Sequence, residues 1–170
     1  MSAHLEPDSS VTSHVVLTCG VAGSGKTTYA KSLERLGYER LSIDEQLWRE
    51  HGLDGASFPP DEYERMKSDA EATLLDRLIV LIGEGRPVVL EYSFWSRERR
   101  DRYKAIIESR GATWELVYLK VSPAVLRERV AARNGSGGAN SVTVSDDLLD
   151  RYLEGFEEPV GEGEVVIEQH

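Results

Sequence analysis

An α/β fold, with a parallel sheet covered by helices on both faces, follows from three features of the 170-residue sequence. Short strand-like and longer helix-like segments alternate from Val15 to Ile167, and such alternation requires crossover connections between parallel strands. The strand segments are near-continuous apolar runs, as expected of strands buried on both faces. The first run, Val15-Val16-Leu17-Thr18-Cys19, passes directly into a glycine-rich stretch, and a helix-forming segment follows.

Taken in order, Met1 to Ser13 is polar and rich in Ser, and is expected to be a disordered segment ahead of one domain over 14–170. Lys26 to Leu36 has helical composition and stops at Gly37. Tyr38 to Ile43 forms the second strand. Ser42 with Glu45 three residues on makes a capping box for a short helix ending at Gly52. Leu53 to Pro60 is a loop. From Asp61 the apolar residues Tyr63, Met66, Ala70, Leu74, Leu78 and Leu81 recur at helical spacing until Gly83. Pro87 to Leu90 is the third strand, and Ser96 to Arg110 a helix closed by Gly111. Trp114 to Val121 is the fourth strand. Ser122-Pro123 supplies a cap and a first-turn proline for a helix running to Arg133. Asn134 to Ser145 is rich in Gly, Ser and Asn and predicts a mobile surface loop, part of a lid at about 127–145. Asp146 to Phe156 is the last helix and Glu164 to Ile167 the last strand.

Composition narrows the function classes. Thirty acidic against twenty basic side chains give a net charge of −10, which disfavours nucleic acid as a partner because that grip needs Lys and Arg to displace counterions. A single cysteine excludes an internal disulfide. No apolar stretch reaches the ~18 residues of a membrane span, and the N-terminus lacks a secretory apolar run, so a cytoplasmic setting is expected. The chain is expected to act as a monomer or a homodimer. Cys19 reads as a small buried residue. His4, His14, His51 and His170 show no metal-ligand spacing.

Gly20-Val21-Ala22-Gly23-Ser24-Gly25-Lys26-Thr27 fits G-x-x-x-x-G-K-[ST] between an apolar strand and a helix. Glycines at 20, 23 and 25, with Ser24, let backbone N–H groups turn toward phosphate oxygens. The following helix aims the positive end of its dipole at the same point. Lys26 can reach the β- and γ-phosphates, the Thr27 hydroxyl can ligate Mg²⁺, and Thr28 extends the cradle. ATP with Mg²⁺ is the expected cofactor pair; GTP is disfavoured because no Asn-Lys-x-Asp tetrapeptide occurs.

Ligands of parallel α/β sheets sit beyond the carboxyl ends of the strands. There the second strand delivers Asp44, and the third delivers Glu91 and Ser93. Either carboxylate can take a proton from an attacking hydroxyl or hold Mg²⁺ through water, although an acid at position 44 also suits the first turn of a helix. Ser96-Arg97-Glu98-Arg99-Arg100 places cations against a helix dipole, which makes sense if an anion binds nearby. Arg100 is expected to point inward, with Tyr103 and Ile107, and to bind substrate, with Arg97 as a further candidate. Arg129 and Arg133 share a face with Leu126 and Val130 at the base of the expected lid, where they can neutralise charge on a transferring phosphate.

The chain resembles the small P-loop kinases of the zeta-toxin-like and chloramphenicol-phosphotransferase-like type, near gluconate kinases and the kinase domain of phage polynucleotide kinase. The resemblance runs from about His14 to Glu168. It rests on Gly20 to Thr28, Leu41 to Glu45, Val88 to Arg97, Leu126 to Asn134, and Phe156-Glu157-Glu158-Pro159. It implies a P-loop sandwich with a five-stranded parallel sheet of order 2-3-1-4-5. It also implies Asp44 as the base that activates the acceptor hydroxyl, with Arg129 and Arg133 as lid arginines. Relatives often carry Asp where this chain has Glu91. The longer side chain can hold Mg²⁺ through water or compete with Asp44. Acceptors vary across the group, so the expectation is an ATP-dependent kinase acting on a hydroxyl of a small metabolite or natural product such as an antibiotic or sugar. The alternatives are a polynucleotide or nucleoside 5′-kinase, or a nucleotide-binding switch without phosphotransfer.

Overall fold

The computed structural model describes residues 12–21, 23–52, 58–133, 150 and 153–169. Ten elements alternate along it: β1 (His14–Cys19), α1 (Lys26–Arg35), β2 (Glu39–Ser42), α2 (Ile43–His51), α3 (Pro60–Gly83), β3 (Val88–Glu91), α4 (Arg97–Ser109), β4 (Thr113–Val121), α5 (Pro123–Arg133) and β5 (Val165–Gln169). The five strands form one parallel sheet in the order β2-β3-β1-β4-β5, as the resemblance implies. Residues 1–11, the loop at 53–57 and residues 134–149 lie outside the described residues. So do most of the expected helix Asp146 to Phe156 and all of the expected lid beyond α5.

Side chains of β1 alternate between two buried clusters. Val15, Leu17 and Cys19 pack with Leu74, Leu78 and Leu81 of α3 and Tyr103 and Ile107 of α4. Val16 joins Val89, Val117, Leu119 and Ala30 of α1 on the opposite face. Both faces are therefore covered, which explains why the strands lack polar alternation.

Local signals set the element boundaries. Ser42 Oγ accepts a hydrogen bond from the Glu45 amide at 3.3 Å, Ser96 Oγ from the Arg99 amide at 3.2 Å, and Ser122 Oγ from the Val125 amide at 3.3 Å. Each satisfies an amide that the first helical turn leaves without a partner. Pro60 opens α3, one residue before the expected start, because a first-turn proline gives up no helical hydrogen bond.

The register fixes what reaches the carboxyl edge. Ser42 pairs with Glu91 across β2 and β3, so α2 starts level with the end of β3. Cys19, the last residue of β1, pairs with Tyr118, and Val121 of β4 with Gln169 of β5. The loop after β1 and the ends of β2, β3 and β5 thus open onto one edge.

Candidate active site

A cavity of about 1100 Å³ occupies that edge. The loop between β1 and α1 contributes Gly23, Gly25, Lys26, Thr27 and Thr28 to its lining. Asp44 enters from α2, Tyr63 and Lys67 from α3, and Glu91 to Trp95 from the end of β3. Arg99 comes from α4, Arg129 from α5 and Gln169 from β5. Its size exceeds the usual range for one small ligand and suits two substrates side by side.

The loop is built to receive an anion. Gly23 and Gly25 adopt φ of 80° and 95°, a conformation that turns successive amides to one side. The first turn of α1 carries no acidic residue, and no side chain caps it among the described residues, so its positive dipole end is left for a ligand. Ser24 Oγ is buried with no hydrogen-bond partner among the described residues. Lys26 Nζ donates to the carbonyls of Gly20 and Val21, both at 3.0 Å, which folds its charge over the loop. Gly20 lies beneath, where its amide donates to the Ser93 carbonyl at 3.2 Å. A Cβ at Gly25 would lie 3.9 Å from Arg129 Nη1 and 3.7 Å from Gln169 Oε1, which brings both residues to the loop's rim. The loop thus fits a polyphosphate by an unsatisfied buried hydroxyl, an uncompensated helix terminus and two nearby cations.

Asp44 is exposed to the cavity in the first turn of α2. Glu91 is buried and paired: Arg40 Nη2 and Nε donate to its Oε1 at 2.9 and 3.2 Å. Both hydrogen bonds fall on one carboxylate oxygen. Arg40 also approaches Glu45 at 3.5 Å. The two candidate carboxylates therefore differ in burial, Asp44 exposed at the cavity surface and Glu91 buried in its pair with Arg40.

The segment after Glu91 carries strain. Phe94 is buried and has φ of 50°, a left-handed conformation that a non-glycine residue adopts at a cost of about 1–3 kcal/mol. Its carbonyl accepts from Arg100 Nη1 at 2.7 Å and from Cys19 Sγ at 3.5 Å. Thr18 Oγ1 donates to the carbonyls of Leu90 and Tyr92 at 3.0 and 3.2 Å. The bend is thus fixed from β1 and α4. Tyr92, which lines the cavity, is almost fully buried. Burial, with Tyr103 and Glu71 nearby, pushes its hydroxyl far above the usual tyrosine range, so it stays protonated.

Arg100 requires a correction. It points inward, but into the core and away from the cavity. Its Nε and Nη2 donate to Glu162 Oε1 and Oε2, both at 2.9 Å, and Nη1 is taken by Phe94. With no accessible surface and these donors engaged, it cannot bind an acceptor. Arg97 is exposed, ion-pairs with Asp101 at 3.6 Å and does not line the cavity. The cavity residue of this cluster is Arg99, 100° round the helix from Arg100. Its guanidinium carbon sits 5.8 Å from the ring centres of Tyr92, Phe94 and Tyr103, and Nη2 pairs with Glu71 at 2.7 Å.

Of the expected site residues, Gly23, Gly25, Lys26, Thr27, Thr28, Asp44, Glu91, Ser93 and Arg129 meet around one cavity, while Gly20, bonded to the Ser93 carbonyl, and the buried Ser24 belong to the loop but not to the cavity lining. The side chain of Arg133, at the end of α5, lies outside the described residues. Arg99 stands in the sequence only as one of the cations of the Ser96 to Arg100 cluster, and Arg40 and Lys67 carry no expectation there. Lys67 had a usable signal, since Tyr63, Lys67 and Glu71 recur every four residues on one stripe of α3.

A family model described as an AAA domain matches residues 15–159. No curated protein sequence matches the chain. Among solved structures, a gluconokinase from Sinorhizobium meliloti 1021 is 25% identical with a TM-score of 0.61, over 93% of this chain and 82% of that one. A sugar kinase from Janibacter sp. HTCC2649 is 20% identical with a TM-score of 0.62, over 92% and 85%. A chain of the Pnkp1/Rnl/Hen1 RNA repair complex is 17% identical with a TM-score of 0.67, over 87% of this chain and 45% of its own length. Among the described residues no helix is long and apolar enough to cross a membrane, and no cluster of metal-ligating side chains occurs.

Proposed function

The chain belongs to the AAA domain family, and within it we propose an ATP-dependent phosphotransferase that acts on a hydroxyl of a small molecule. One observation carries this reading. An exposed carboxylate, Asp44, lines the same cavity as Lys26 and Thr27 of the phosphate loop. A switch that only binds nucleotide has no need of a second, proton-accepting wall there.

In this reading the loop amides from Gly20 to Thr28 and the Lys26 ammonium hold the polyphosphate. The Thr27 hydroxyl and Glu91 would hold Mg²⁺, since Arg40 occupies one oxygen of Glu91 and leaves the other for that contact. Mg²⁺ bound there would neutralise phosphate charge. Asp44 orients the acceptor hydroxyl and takes its proton. The hydroxyl oxygen bonds to the γ-phosphorus as the bond to the bridging oxygen breaks, and ADP leaves. Arg129, beside Gly25, stabilises the charge spread over the moving phosphoryl oxygens. Arg133 would assist from the next turn of α5.

The gluconokinase and sugar kinase likenesses support a small-molecule acceptor. The likeness to a chain of an RNA repair complex favours a second reading, transfer to a polynucleotide or nucleoside 5′ end. The net charge of −10 weighs against it. The test is ADP release from ATP in the presence of pooled alcohols, sugars, nucleosides and 5′-hydroxyl oligonucleotides, with mass spectrometry of the products. A phosphorylated small molecule supports the first reading. A phosphorylated oligonucleotide with strongly salt-dependent binding replaces it with the second. Nucleotide binding without turnover in any pool leaves a switch.

A further inference from the structure

We propose that Arg40 is a positioning residue of this site: it pins Glu91 by one carboxylate oxygen and so presents the other to the bound nucleotide. This rests on the reading of Glu91 given above. The register of the sheet brings the two residues together. Val89 packs in the cluster that contains Ala30 of α1, whereas Leu90 packs in the cluster on the opposite face. Side chains alternate along a strand, so Glu91 falls on the face that α1 covers. Arg40 pairs with Val89 and Ser42 with Glu91 across β2 and β3, which puts Arg40 on that face as well. The covering helix is the one that opens with Lys26 and Thr27.

The contacts between them are lopsided. Nε and Nη2 of Arg40 both donate to Oε1 of Glu91, at 3.2 and 2.9 Å. A fork-to-fork pair engages both carboxylate oxygens, as Arg100 does with Glu162. Here no hydrogen bond among the described residues falls on Oε2 of Glu91, and Glu91 lines the cavity. The Arg40 and Glu91 side chains are only 8% and 4% exposed. A buried ion pair stabilises a fold only when its remaining lone pairs are also satisfied. A pair built for stability alone would therefore use both oxygens, whereas a pair built to orient an acid keeps one for a ligand. The guanidinium is itself anchored from a second element. Its Nη1 lies 3.5 Å from Oε1 of Glu45, in the first turn of α2 beside Asp44. A glutamate also has one more rotatable bond than an aspartate, so at the end of a strand it needs an anchor to hold one orientation. Arg40 supplies that anchor in the manner of the outer residues that orient metal-binding carboxylates.

The test reads nucleotide binding by the full-length protein and needs no phosphoryl transfer. ATP affinity is measured by calorimetric titration with Mg²⁺ and in EDTA, beside urea unfolding. The proteins are the wild type, Arg40→Met, Arg40→Lys, Glu91→Gln and the double variant Arg40→Met with Glu91→Gln. The wild type should gain affinity from Mg²⁺, and Arg40→Met should cut that gain by about tenfold or more while affinity in EDTA stays unchanged. Arg40→Lys keeps the charge beside the buried carboxylate, but its single ammonium cannot hold Glu91 and Glu45 together. It should also reduce the gain, and it carries the test if Arg40→Met fails to fold. Adding Arg40→Met to Glu91→Gln should remove no further gain, because Arg40 acts through Glu91. An undiminished gain in a folded Arg40 variant overturns the inference. So does an equal loss with Mg²⁺ and in EDTA, which would leave Arg40 a purely structural residue, or an Arg40 effect that persists in Glu91→Gln. A wild type that gains nothing from Mg²⁺ overturns it together with the role given to Glu91. Failure of the phosphotransferase reading looks different: Mg²⁺-dependent binding as expected, and no phosphorylated product with any acceptor.

Discussion

Arg100 and Glu162 meet in the core through two parallel nitrogen–oxygen contacts of 2.9 Å. They join α4 to the turn before β5, 62 residues apart in sequence. Gly161 and Gly163, with φ of 68° and 82°, allow that turn to dip inward, and Lys104 Nζ holds the Glu162 carbonyl at 2.9 Å. Glu162→Gln should cost about 3–5 kcal/mol, because it strands a buried guanidinium; urea unfolding measures it. The pair also gives a pH signature. The hydrogen bonds from Arg100, opposed in part by burial, hold the Glu162 carboxyl below its ordinary 4.5. Its stabilisation is then complete above pH 4.5 and drains as pH falls through the lowered folded value. Wild-type stability should fall in that acid window, and the fall should be shallower in Glu162→Gln.

The proposed division of labour between Asp44 and Glu91 predicts two different lesions. Asp44→Asn should lower kcat by about 10²–10⁴-fold with little change in ATP affinity, since the exposed carboxylate acts only as the hydroxyl loses its proton. Glu91→Gln should also lower stability, because it breaks the pair with Arg40. Steady-state kinetics beside urea unfolding separates them. An active Asp44→Asn with a dead but stable Glu91→Gln would exchange the two roles.

Much of this arrangement was legible because its determinants are local. Ser42, Ser96 and Ser122 announce helix starts within three residues of the amides they cap. The glycine-lysine loop names its own ligand chemistry within one turn. What could not be read is what depends on distant partners. Arg99 and Arg100 are neighbours on one helix with the same side chain. Which faces the cavity is decided by Glu71, 28 residues before Arg99, and by Glu162, 62 residues after Arg100. Arg40 lies on a short strand, and only its register beside β3 puts it under Glu91.

Cys19 provides a chemical probe of the packing behind the cavity. Burial pushes its thiol up to about 11, against the opposing pull of Arg100 and Lys26. At pH 8 it therefore holds about a hundredfold less thiolate than an unperturbed thiol. The native protein should resist alkylation by iodoacetamide at that pH and become reactive on unfolding, with mass spectrometry following the single site. Native labelling at the unfolded rate would mean that the Phe94 carbonyl does not cover the sulfur.

Gly20 offers the cleanest separation of loop geometry from general stability. A Cβ added there would sit 2.5 Å from Ser24 Oγ and 3.1 Å from the Leu119 carbonyl. The serine can rotate, but Leu119 is fixed in β4, where it is paired with Ile167 of β5. The loop itself must therefore shift by a few tenths of an ångström, which moves the amides that follow it. Misaligning even one amide–phosphate hydrogen bond weakens nucleotide binding by about 10–100-fold, and the overpacking costs about 1–3 kcal/mol besides. Gly37→Ala supplies the contrast: it has φ of 101° and no neighbour within 4 Å of an added Cβ. It should cost about 1–2 kcal/mol of backbone strain and leave ATP affinity unchanged. Calorimetric titration with ATP beside urea unfolding reads both quantities. Equal affinity losses in the two variants would mean that instability, and not the shape of the loop, governs binding; full affinity in Gly20→Ala would remove the close approach at Leu119 from the account.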